Sequence, residues 1–73
     1  MSRQAARQVQ AKLTEARAEL GDYERYSRMT VGQVYQGVEV TASKLREWGK
    51  ARDRWARIVR RLEAQLQRLE GGR

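Results

Sequence analysis

From Leu45 to Leu69 the chain places Leu45, Trp48, Trp55, Val59, Leu62, Leu66 and Leu69 at alternating steps of three and four, broken only by the cation Arg52. This spacing lines one face of an α-helix and matches the a/d seam of a coiled-coil-like pair. Such a seam has nothing in its own helix to pack against. The rest of the chain must fold back over it, or other chains must cover it.

A second amphipathic segment near the start supplies a partner. Ala6, Val9, Leu13, Ala16, Leu20 and Tyr23 repeat the same steps, with Ser2 placed to cap the helix N-terminus. Gly21 either ends this helix, with Asp22 capping a short second one, or lies inside a longer helix at a cost of about 1 kcal/mol relative to Ala. Tyr23 extends the stripe of Leu13, Ala16 and Leu20 without a phase shift, which favours one helix over about residues 3–29.

Between the two segments the period changes. Val34, Tyr35, Val38 and Val40 surround Gln36-Gly37, the composition of a tight hairpin over about residues 33–41, with Gly32 separating it from the first helix. A two-residue turn sets Tyr35 opposite Val38. Tyr35, Val38 and Val40 then share a face with Val31, while Glu39 and Thr41 point away from it. A lone hairpin is not stable in water, so that face must rest on the helices or on another subunit. Thr41 or Ser43 caps the second helix, expected over about residues 43–69 and stopping at Gly71-Gly72, with residues 70–73 as a tail. Two helices of roughly 40 Å, at about 1.5 Å per residue, match as an antiparallel pair. The expected fold is a single α+β domain, predominantly helical, of order α-β-β-α.

Seventy-three residues give only a marginal core, and with no Cys and no His there is neither a disulfide nor an ordinary zinc site to reinforce it. No cofactor is expected. Oligomerisation is the remaining usual source of stability, and a charged share of 34% suits long solvated helices. No apolar run approaches the ~20 residues of a membrane span, and the N-terminus lacks the apolar block of a signal peptide. These features predict a chain made and used in a cytoplasm-like compartment.

Sixteen Lys and Arg against nine Asp and Glu give a formal charge of +7, which favours polyanionic or acidic neighbours. Arg46, Lys50, Arg54, Arg57, Arg61 and Arg68 recur at helical spacings, forming a basic stripe that flanks the apolar seam of the second helix. Such a stripe meets DNA phosphates or an acidic protein surface, or it serves only as a solvated face whose stems cover the seam edges. Arg52 either stacks its guanidinium on Trp48 or Trp55, the favoured reading, or meets an acidic partner from another chain. The expected core and interface anchors are Leu13, Leu20, Tyr23, Tyr35, Val40, Leu45, Trp48, Trp55, Val59, Leu62 and Leu66. Tyr26 lies off the stripe and is the better candidate for an exposed contact. Catalysis is not expected: the acids are scattered among arginines, and Ser2, Ser27 and Ser43 have no base to activate them.

The layout of a first helix, Gly32-Gln33-Val34-Tyr35, a hairpin ending Val38-Glu39-Val40-Thr41-Ala42-Ser43-Lys44-Leu45, and a long helix with Trp55-Ala56-Arg57-Ile58-Val59-Arg60-Arg61-Leu62 resembles small head-to-tail joining proteins of tailed phages. The family in question is that of the phage lambda head-completion protein W, over roughly Leu13 to Leu62. The resemblance implies two helices joined by a β-hairpin and a non-enzymatic adaptor of the virion neck, made in the host cytoplasm. It further implies a homo-oligomeric, dodecameric ring below the portal protein and a docking surface for the next connector or tail protein; in such a ring, arginines facing the lumen would contact packaged DNA through phosphates alone. The hairpin is shorter than in related Gly-Gly versions and the heptads run further toward the C-terminus, so no role passes to the terminal residues. Two other classes remain: a small basic DNA-binding module, and a coiled-coil interaction partner, the latter disfavoured by the Gln36-Gly37 turn.

Overall fold

The computed structural model describes residues 3–71. Its order is α1 (Arg3–Ser27), β1 (Val34–Tyr35), β2 (Val38–Glu39) and α2 (Ala42–Gly71), with the two helices packed on each other and the hairpin closing one end. The Ser2 cap and Gly72 lie outside the described residues. α1 runs through Gly21 unbroken, as the phase of Tyr23 requires.

α1 stops two residues short of the expected Met29. The amides of Arg28 and Met29 donate to the carbonyls of Arg25 and Tyr26 at 3.2 Å, tightening the last turn into three-residue spacing, and the Ser27 hydroxyl donates to the Tyr23 carbonyl at 2.6 Å. A turn over residues 30–33 follows. The Gln33 amide donates to the Thr30 carbonyl at 3.0 Å, and Gly32 takes φ +93°, which a side chain there would resist. This turn leaves Val31 57% exposed, so Val31 does not join the packed face of the hairpin.

The hairpin has the expected register: Tyr35 pairs with Val38 and Val34 with Glu39. Gln36 (φ 51°) and Gly37 (φ 78°) both adopt positive φ, the signature of a type I′ turn, whose twist matches that of paired strands. The strands proper are only two residues each. The ladder nevertheless extends outward, with Val40 N–H donating to the Gln33 carbonyl at 2.7 Å and Gly32 N–H to the Val40 carbonyl at 2.8 Å. Val40 is 1% exposed and is the residue by which the hairpin is anchored, whereas Val38 is half exposed.

Thr41 takes the cap of α2. Its Oγ1 accepts from the Lys44 amide at 3.1 Å while its carbonyl accepts the first helical bond from Leu45 at 3.0 Å. Ser43 falls inside the first turn and is not the cap. The helix begins at Ala42 and continues through Gly71, so the expected tail from residue 70 is helical as far as it is described.

The core is Leu13, Ala16 and Val59, with Leu20, Trp55, Ile58, Leu62 and Leu66 packed against it but only half-buried. Two helices make one layer, and the chain is correspondingly a rod of 52 × 18 × 12 Å. A seam residue in such a layer is covered by the facing helix and remains open above or below, which is why most of the large seam residues keep part of their surface exposed. Among the described residues, no helix is long and apolar enough to cross a membrane.

Two substitutions test this account by chemical or thermal unfolding followed by circular dichroism. Thr41→Ala, which removes a cap, is expected to cost about 1 kcal/mol, and Thr41→Ser to restore most of it. Gly21→Ala is expected to stabilise by about 0.5–1 kcal/mol, since the added methyl meets only the flexible end of Arg25 at 3.9 Å.

Candidate interaction surfaces

The seam of α2 is more regular than its large residues suggest. Ala51, not Arg52, fills the gap between Trp48 and Trp55: it is 7% exposed, and with Ile58 it restores an unbroken series of three- and four-residue steps. Small side chains let paired helices approach closely, so an alanine on a seam is a core residue. Arg52 lies one position round the helix, bonded through Nε and Nη2 to Asp53 at 3.3 Å. Among the described residues no aromatic ring stacks on it, so the expected indole stacking gives way to an ion pair with the adjacent carboxylate.

Tyr26 is also placed differently from expectation. Rather than standing free, its ring centroid lies 5.8 Å from Tyr23, 5.8 Å from Tyr35 and 5.4 Å from Trp48. The hairpin folds back over the end of the helix pair, and an off-seam residue there meets a third element that a helical stripe does not include. Tyr26 is thus the hub of an aromatic cluster joining α1, the hairpin and α2. Beside it a cleft of about 240 Å³ is lined by Tyr26, Tyr35, Gln36, Val38 and Trp48.

Of the expected anchors, Leu13, Val40 and Val59 are buried, while Leu20, Tyr23, Leu45, Trp48, Trp55, Leu62 and Leu66 are half-buried. Tyr35 is 37% exposed and shares one face of the hairpin with Val38, while Val34 lies on the opposite face beside Glu39 and Val31 on the preceding turn, so the hairpin end is an apolar tip exposed in more than one direction. A cluster of this kind on a small chain is a recognised mark of an interaction surface.

Arg46, Lys50, Arg54, Arg57, Arg61 and Arg68 are all exposed. At about 100° per residue they fall within an arc of about 80°, centred roughly 130° from the seam, and they span about 33 Å of helix. No acidic residue lies inside that arc, with Glu47 and Asp53 at its borders. None of the six enters an ion pair: the pairs in the described chain are Arg17–Glu63, Arg25–Asp22 and Arg52–Asp53. The stripe is therefore a continuous run of free cations, not a set of intramolecular bridges. Arg17–Glu63, at 3.0 Å, crosses from α1 to α2. Both its side chains are about half exposed, so it marks the helix register more than it stabilises it.

No family model matches the chain, and no curated protein or solved structure shows significant similarity to it.

The position of the seam is testable by substitution. Arg52→Gln is expected to change stability by less than about 0.5 kcal/mol, as surface changes do, while Ala51→Gln should cost about 1–3 kcal/mol through overpacking and burial of an amide. Equal effects in denaturant titrations would show that Arg52 belongs to the seam.

Proposed function

We propose that the chain is a non-enzymatic structural adaptor of a tailed-phage neck. In this reading several copies assemble as a ring under the portal protein, complete the DNA-filled head, and present a surface to the next connector or tail protein. The observation that carries it is the joint occurrence of the helix–hairpin–helix layout with a free, one-sided arginine stripe and an exposed apolar tip. That layout is the one implied by the resemblance to head-completion proteins.

The physics of such a role suits a thin rod. A single chain has little surface to spare for tight binding, but a ring repeats each weak contact and gains by avidity. The apolar tip, with Val31, Val34, Tyr35 and Val38, supplies a protein contact. The stripe supplies a phosphate or carboxylate contact, for which Arg is better suited than Lys because its planar fork binds two oxygens at once. Against DNA in a lumen, such contacts are to phosphates alone and carry no sequence preference.

A second reading, direct binding of free duplex, draws on the same unpaired stripe, whose length of about 33 Å is close to one turn of B-DNA. Salt dependence separates the two. Replacing Arg54, Arg57 and Arg61 by Gln is expected to leave the helical content intact while sharply reducing the yield of infectious, DNA-retaining particles in a complementation assay. Unchanged yields would overturn the adaptor reading. Binding of free duplex by the isolated protein, weakening steeply as salt rises and lost in the triple variant, would favour the second.

A further inference from the structure

The two broad faces of the helix layer differ. One carries the Arg17–Glu63 bridge across the seam. On the other, helical spacing sets Lys12, Glu15, Glu19 and Asp22 in a line along α1, and Glu47, Arg54, Arg57 and Arg61 along α2, with half-buried Tyr23, Ile58, Leu62 and Leu69 between them. From Glu15 to Asp22 and from Arg54 to Arg61, two charged walls of opposite sign thus border an open apolar groove, and Lys12 and Glu47 reverse the sign beyond that stretch. Arg17 opposite Glu63 sets the register, and in an antiparallel pair a step forward on α1 is a step back on α2. Glu19 is therefore level with Arg61, and Asp22 with Ile58, next to Arg57. No ion pair forms across the groove within the chain.

We infer that this face is the contact between two copies of the chain, related by a two-fold axis running along the rod, so that α1 of each lies over α2 of the other. The product is an antiparallel four-helix bundle with the groove residues at its centre.

Electrostatics selects this arrangement. Face-to-face stacking of a two-helix layer has two isologous solutions. With the two-fold across the rod, α1 meets α1 and α2 meets α2, setting acid on acid and arginine on arginine. With the two-fold along the rod, heights are preserved: Glu19 faces Arg61 of the partner subunit, Asp22 faces Arg57 of the partner subunit, and each pair occurs twice. Like charges brought together cost free energy and opposite ones fix register, so the second solution is favoured. The contact is small: by the Arg17–Glu63 register α1 and α2 overlap over residues 9–27 and 53–71, about 28 Å at 1.5 Å per residue, and with the 18 Å width of the rod this offers roughly 500 Å² to a second copy, the size class of a weak interface. The apolar groove is needed as well, because each chain carries +7 and the two repel at long range until salt screens them.

This contact does not depend on the neck reading, since it is a property of the free chain in solution. Its test accordingly uses the purified full-length protein. Sedimentation equilibrium should give twice the 8.5 kDa chain mass. The double variants Glu19→Lys/Asp22→Lys and Arg57→Glu/Arg61→Glu, each checked for helicity by circular dichroism, should each dissociate at least about tenfold more readily. Mixed together, they should form a heterodimer as tight as the unaltered pair, because every reversed wall then meets its opposite. The absence of Cys allows a geometric check. Chains with Glu19→Cys mixed with chains carrying Arg61→Cys should cross-link on mild oxidation, and neither should do so alone. A monomer at high concentration, charge reversals without effect, or preferential like-with-like cross-links would overturn the proposal.

Discussion

Everything in this molecule depends on a single seam between two helices. A three-layer or bundled domain surrounds its apolar residues, but a pair of helices covers each of them from one direction only. The consequence is measurable in the shape. The radius of gyration is 16.1 Å, whereas a compact domain of this length has about 11 Å. Among the described residues six hydrophobic ones, Val9, Leu13, Ala16, Val40, Ala51 and Val59, are buried, and three of them lie in one cluster. Such a core gives little margin over the conformational entropy of ordering the chain. The long apolar stripes on both helices are therefore more extensive than one partner helix can cover.

The hairpin does a different job from the seam. Its strands are too short to be stable alone, and its stability comes from where it is attached. Val40 is inserted beneath it, Thr41 turns directly from the ladder into the cap of α2, and Tyr35 closes on Tyr26, which in turn touches Trp48. The type I′ turn requires Gln36 to hold a positive φ, a conformation that costs a non-glycine residue roughly 1 kcal/mol or more. The aromatic cluster of Tyr23, Tyr26, Tyr35 and Trp48 joins the hairpin to both helices at the closed end. The other end has no comparable closure among the described residues.

Charge is segregated in a way that the net value conceals. Only three ion pairs occupy the described chain, and the six cations on the outer side of α2 enter none of them. Free cations on one side and an acid line on α1 make the surface strongly directional. The proposed adaptor role and the proposed two-fold contact both draw on that directionality, the first through the whole length of the stripe and the second through the part of it bordering the groove. An assembled ring and a free dimer would use overlapping residues, so one would form at the expense of the other.

Much of the architecture was legible from spacing alone. The steps of three and four named both helices, the phase of Tyr23 carried α1 through Gly21, and Gln36-Gly37 between β-branched and aromatic residues named the turn and its register. These are local properties, set by backbone sterics and by the period of the side chains. What the tertiary structure alone decided is which neighbours complete each surface. Ala51 reads as filler until a second helix approaches, and Arg52 reads as a seam defect for the same reason. Tyr26 looks exposed on a helical wheel and becomes a hub once the hairpin folds over it, while Val31 looks like hairpin core and is turned outward by the turn over residues 30–33. Periodicity records which face of an element is apolar, but contact with a third element depends on the path of the chain in space, and no local repeat encodes that path.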